Sequence, residues 1–122
     1  MILQESGEMY LESIYVLLKE KKHVRSIDVV EYMNFSKPSV SRAIGLLKKG
    51  GFVTVSEDGY LELTDIGAEV SQKIYERHKI ITAFLTKIGV SEEAASADAC
   101  KIEHVISDES FDAIKKITEM QK

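Results

Sequence analysis

Cys100, Glu103 and His104 stand at i, i+3 and i+4, a spacing that puts a thiol, a carboxylate and an imidazole on one face of a helix. Far from them in sequence, Met9 points roughly 180° away from the apolar stripe of its own helix, with Glu12 and Val16 beside it. A thioether there must meet something other than the local core, or water. Met9, Cys100, Glu103 and His104 together make a four-ligand set, and its sulfur donors favour Fe(II), Co, Ni, Zn or Cu over Mg or Ca. Alone, a Cys-x-x-Glu-His run is a weak signal, and a lone methionine suits packing as well as ligation. His78 interrupts the apolar stripe Ile66, Val70, Ile74, Ile81 and Leu85. It reads either as a satisfied core histidine or, with Glu12, as part of a second metal site.

A second group of residues has the chemistry of nucleic-acid binding. On a helix starting after Ser36, Val40, Ala43, Ile44 and Leu47 share one side, and Pro38, Arg42, Gly45 and Lys49 share the other. Lys37, Ser39, Ser41 and Lys48 flank that outer face. Ser36 and Ser39 can hydrogen-bond phosphate or base edges, Arg42 can fork onto guanine or phosphate, and Pro38 can touch a thymine methyl. Arg25 is a further phosphate candidate, and Lys48 and Lys49 suit phosphate better than the acidic Glu57-Asp58 tip. The overall charge of −4 does not exclude DNA, because residues 36–56 carry +4 while residues 91–122 carry −4. Adaptor domains that bind no DNA can share the shape.

These residues need elements to hold them. Apolar periodicity predicts a helix over 5–19, with Leu11, Ile14, Tyr15 and Leu18 inward, and a short one over 27–33 capped by Ser26. Ser36 caps the third helix, with Pro38 in its first turn, and Gly50-Gly51 ends it. Strands are expected over 52–56 and 60–63, joined by a Glu57-Asp58-Gly59 turn. Thr64 caps a helix to about Lys87. Gly89 breaks it, Ser91 caps another to about Ile106, with Ile102, Val105 and Ile106 opposite the ligands, and Ser107 caps the last. The expectation is a mostly α chain: a winged helix-turn-helix over 1–63, then a three-helix layer over 64–122. That layer has too little core of its own and should pair with a second copy as a homodimer. The chain of 122 residues has no apolar run near membrane length and no signal-peptide pattern, and its single cysteine fits a reducing cytosol. Nothing supplies a nucleophile and base in a cleft, so an enzyme is not expected.

At these residues the chain resembles the DtxR/MntR family of metal-dependent bacterial repressors, over essentially its full length. The resemblance is carried by Glu8-Met9-Tyr10-Leu11-Glu12-Ser13-Ile14-Tyr15, Ser36-Lys37-Pro38-Ser39-Val40-Ser41, Leu63-Thr64-Asp65-Ile66-Gly67, Tyr75-Glu76-Arg77-His78 and Ile102-Glu103-His104. It implies one metal site from Met9, Cys100, Glu103 and His104, and a second involving His78 and, in the manganese branch, Glu12. Met9 and Cys100 resemble the iron-type members; the manganese-type members have Asp and Glu there. Thr82 and Ser96 stand where iron-type members have the Glu and His of an ancillary site, and the C-terminal SH3-like domain of long iron-type members does not follow Lys122. The resemblance implies a cytoplasmic repressor of metal-uptake genes, dependent on Fe2+ or else Mn2+. It implies a homodimer on a palindromic duplex operator, with no membrane or small organic substrate involved. The residues alone leave open a winged-helix regulator gated by a small organic ligand, or a protein-interaction module.

Overall fold

The computed structural model describes residues 5–120. Its elements are α1 (Glu5–Glu20), α2 (Ser26–Met33), α3 (Lys37–Lys49), β1 (Val53–Val55), β2 (Leu61–Leu63), α4 (Asp65–Lys87), α5 (Glu92–Ile102) and α6 (Asp108–Met120). This is the expected mostly α chain with a winged helix-turn-helix order. The residues divide into two compact units, Met1–Gln72 and Lys73–Lys122, with the boundary inside α4.

In the first unit α1 buries Tyr10, Leu11, Ile14 and Leu17, and Leu18 packs against them. The seam is turned from the expected one: Tyr15 is only half-buried. Helix α2 begins at Ser26, and its N-cap is Arg25 rather than Ser26, in extended backbone. Asp28 makes that cap, accepting the Arg25 N–H at 2.8 Å and Lys21 Nζ at 2.5 Å. Lys21, and then the Arg25 N–H, hold the Asp28 carboxyl below its ordinary value. The stability this contributes is present above the usual carboxylate range and is lost as pH falls through the lowered value.

Helix α2 ends at Met33 and is capped by Asn34, in the left-handed region at φ 58°, which suits Asn better than most residues. Ser36 caps α3, its Oγ accepting from Ser39 N at 3.3 Å, with Pro38 in the first turn. Val40, Ile44 and Leu47 on the inner side of α3 are buried with the α1 and α2 residues in one core. The strands are shorter than expected and pair antiparallel, Val53 opposite Leu63 and Val55 opposite Leu61. Gly59 closes the hairpin at φ 85°, a backbone angle that glycine adopts without strain. Leu61 N donates to Val24 O at 2.7 Å, so the α1–α2 connection runs alongside β2.

The end of the wing and the start of α4 are locked to the end of α3. Thr64 Oγ1 donates toward Gly51 O at 2.6 Å and Phe52 O at 3.1 Å, and accepts from Gly67 N at 3.0 Å. Thr64 N donates to Phe52 O as well, at 3.1 Å. Gly67 is there because nothing larger fits: a Cβ would lie 1.9 Å from Phe52 O. Ser71 Oγ, fully buried, donates to Gly67 O at 2.7 Å. Ile66, expected on the inward stripe, is instead 59% exposed.

In the second unit Ile81, Ala99 and Phe111 form the core, with Ile80, Leu85, Ile102 and Ile106 against it. Gly89, at φ 108°, lets the chain leave α4. Ser91 caps α5 through Ala94 N at 3.2 Å, and Ser107 caps α6 through Ser110 N at 3.1 Å. Helix α5 stops at Ile102 and not near Ile106. Ile102 O takes the amides of both Val105 and Ile106. Arg77 Nη1 donates to Glu103 O at 3.3 Å and to Ile106 O at 2.9 Å, so these carbonyls are satisfied without another helical turn. The consequence is that Val105, expected beside Ile102 and Ile106 on the helix face opposite the ligands, is 69% exposed. Among the described residues no helix is long and apolar enough to cross a membrane.

The Gly67 contact is the sharpest steric constraint on this architecture. Gly67→Ala should cost about 3 kcal/mol or more, because the clash is with backbone and not with a movable side chain. Thermal unfolding followed by circular dichroism should show Tm falling by on the order of 10 °C; an unchanged Tm would refute the close approach.

Candidate metal centre and nucleic-acid interface

Three potential ligands converge in the second unit because α4 faces the turn after α5. Glu103 is 1% exposed. Its Oε2 lies 2.9 Å from His78 Nδ1, and its Oε1 lies 3.3 Å from His104 Nε2. The His104 imidazole is fully buried, and that of His78 is 25% exposed. Glu103 still donates its N–H to Ala99 O at 2.9 Å, so it keeps helical geometry one residue past the end of α5. Cys100, half-buried, is in the last turn of the same helix. The i, i+3, i+4 spacing therefore spans a helix end rather than a helix interior.

Burying a carboxylate between two imidazoles is costly unless positive charge is supplied there. Protonated histidines or a divalent cation can supply it. Carboxylate, imidazole and thiolate are the donor types that first-row transition ions take, so the residues fit such an ion. In the first unit Met9 and Glu12 are both half-buried on α1, and Met9 O accepts from Ser13 Oγ at 2.8 Å. Thr82 and Ser96 offer poor ligands. Thr82 Oγ1 donates back to His78 O at 2.7 Å within its own helix. Ser96 is exposed, with its Oγ 3.4 Å from His78 Nε2.

Ser36, Lys37, Pro38, Ser39, Ser41, Arg42, Lys48 and Lys49 are all exposed on or beside α3, while Val40, Ile44 and Leu47 are buried. The first turn of α3 holds no acid, and its last turn holds Lys48 and Lys49. Ser36 Oγ also donates to Ser39 Oγ at 2.9 Å, which commits it to the cap and leaves Ser39 the better placed to reach outward. Arg25 is exposed, with its guanidinium 4.7 Å from the Tyr60 ring centroid, and His23 stacks on the same ring at 4.4 Å. Sequence reasoning missed Tyr60 and His23. The only available signal was that Tyr60 follows the hairpin turn; its neighbour across the fold depends on the Leu61–Val24 pairing. It gave Arg77 no role beyond its place in the Tyr75–His78 motif, because its partners lie 26 to 31 residues away.

Comparison with known proteins agrees with this layout. Residues 2–62 match the profile of the iron dependent repressor N-terminal DNA binding domain, and residues 64–121 that of the iron dependent repressor metal binding and dimerisation domain. An uncharacterised HTH-type transcriptional regulator of Methanocaldococcus jannaschii is 33% identical over 122 residues, covering 98% of both chains. The HTH-type transcriptional regulator MntR of Bacillus subtilis is 34% identical over 109 residues, covering 89% of this chain and 77% of that one. The solved metal-dependent transcriptional regulator MtsR superposes with a TM-score of 0.85 at 27% identity over 93% of this chain, which spans about half of MtsR (53%). The chain belongs to the iron-dependent repressor family, the DtxR/MntR class of metal-dependent, DNA-binding transcriptional repressors.

Arg42 is exposed on the basic outer side of α3, with Leu46 63% exposed one turn further along, and this sets an expectation for binding. Arg42→Ala should weaken duplex binding by about 1–3 kcal/mol and relax sequence preference, as loss of one bidentate base contact does. Footprinting that matches the parent would remove Arg42 from the interface.

Proposed function

We propose that this repressor takes Fe2+, or else Mn2+, as its co-repressor, and represses metal-uptake genes as a cytoplasmic homodimer on a palindromic operator. Residues 1–63 read DNA and residues 64–122 bind metal and pair the copies. Met9, Cys100, Glu103 and His104 hold the ion, with Glu12 and His78 available to a second one. The reading rests on one observation above all: the Glu103 carboxylate is buried with an imidazole nitrogen near each oxygen. When bound, the ion supplies the positive charge that this buried carboxylate and the Cys100 thiolate call for.

Met9 and Glu12 belong to the reader, and Cys100, Glu103 and His104 to the pairing half. Ligands drawn from both halves fix the angle between them, and so the separation of the two α3 helices in the dimer. Operators with half-sites one helical turn apart, ~34–36 Å, reward a fixed separation. Lys37, Ser39, Ser41, Lys48, Lys49 and Arg25 then position the reader on phosphate, Ser36 holds the cap that presents Ser39, and Arg42 and Pro38 meet base edges. Linkage makes the effect reciprocal: whatever factor metal adds to DNA affinity, DNA adds to metal affinity. The thioether and thiolate argue for Fe2+ ahead of Mn2+, since soft donors discriminate between them. Nothing in this scheme requires catalysis.

The direct test is duplex binding across a divalent-metal series at fixed ionic strength with oxygen excluded. Metal should tighten binding at least 10-fold, and Cys100→Ala should abolish most of that gain while leaving the dimer folded. Equal affinity of apo and loaded protein, or full metal stimulation of the variant, defeats the proposal. Cys100 and His104 must lose protons to ligate, so the metal-stimulated part should fade as pH falls, while metal-independent binding changes less.

A further inference from the structure

Glu103 is gripped at two points by consecutive residues of α4. His78 meets its carboxylate, with Nδ1 2.9 Å from Oε2. Arg77 meets its backbone, with Nη1 donating to Glu103 O at 3.3 Å and to Ile106 O at 2.9 Å. The other arm of the same guanidinium, Nη2, donates to Asp108 Oδ1 at the start of α6. The Arg77 side chain is only 12% exposed, and its guanidinium lies 5.3 Å from the Phe111 ring centroid. A planar fork with fixed donors thus spans a turn that would otherwise be loose: two carbonyls left over where α5 stops, and the first carboxylate of α6. Lys73 Nζ, 3.7 Å from that Asp108 oxygen, adds charge there and no geometry.

We propose that Arg77 is a positioning residue for the metal centre. It touches no ligand atom. It fixes the backbone of residues 103–106, and thereby aims the Glu103 carboxylate and the His104 imidazole before an ion arrives. The inference rests on the metal site proposed above. Its physical basis is preorganisation: ligands held by an outer partner bind more tightly because less ordering is left to binding, and losing such a partner typically costs about 10–100-fold in affinity. The tie to Asp108 adds a consequence. Movement of the Glu103–His104 turn is transmitted to the first residue of α6 through one rigid group.

The test is anaerobic titration of the full chain with Co2+, reading both the dissociation constant and the absorption bands, including the thiolate-to-metal band that reports Cys100. Arg77→Gln should weaken Co2+ binding about 10–100-fold and alter the ligand-field bands while far-UV circular dichroism and sedimentation stay as in the parent. Arg77→Lys keeps the charge without the fork and should fall between. A purely structural role would move Tm but leave the bands of the loaded protein unchanged, and that result overturns the proposal. If Arg77→Gln does not fold, Arg77→Lys decides: parental affinity and parental bands overturn it, and weakened affinity with altered bands supports it. Cys100→Ala separates the two readings. If the parent shows a thiolate band that Cys100→Ala lacks, the site stands, and a parental Arg77→Gln spectrum then sinks the positioning role alone. If the parent shows no thiolate band, the site falls and the role of Arg77 falls with it.

Discussion

A carboxylate taken out of water must be neutralised, or several kcal/mol are lost to its desolvation. Glu103 is where this chain meets that constraint. One oxygen is near His78 and the other near His104. Much of the second unit serves this arrangement. Helix α4 carries His78 beside Arg77, α5 ends early so that Glu103 and His104 occupy a turn, and Phe111 packs under the guanidinium that holds the turn. An apolar residue of similar size at 103 would pack more cheaply. The metal site proposed above would account for a polar residue at this position.

The reader in the first unit follows a different logic, the separation of an apolar inside from a basic outside on one helix. Val40, Ile44 and Leu47 anchor α3 in the core, which leaves Arg42 and the lysines to solvent. Anchoring alone would not fix the wing. That task falls to Thr64, whose single hydroxyl serves both the α4 amide of Gly67 and the carbonyls of Gly51 and Phe52. Helix start, strand start and recognition-helix end meet at this point, and the space is so tight that residue 67 has no room for a side chain.

Capping residues made most of the element boundaries legible. Ser36, Ser91 and Ser107 cap as their positions suggest, and Thr64 does so with additional partners that no local pattern announces. Arg25 displaced Ser26 at the start of α2 because Asp28, three residues on, supplies the capping oxygen and Lys21 steadies it. The α1 seam turned toward Tyr10 and Leu17 because the neighbours that cover a stripe decide its centre, and helical spacing gives only its width. For the site, residue type and spacing brought Cys100, Glu103 and His104 forward as a group. They did not reveal that the group straddles a helix end.

The sequence by itself determined the order of helices and hairpin, the polarity of α3, most of the caps and the candidate ligand residues of α5. All of these are local, set by side-chain chemistry, backbone preference and periodicities of a few residues. Only the tertiary structure decided where α5 stops, that His78 faces Glu103, and that Val105 and Ile66 point outward. Those outcomes depend on Arg77 and Phe52, groups distant in sequence, whose donors and carbonyls compete with the local hydrogen bonds. A chain read one window at a time carries no information about which distant partner will win that competition.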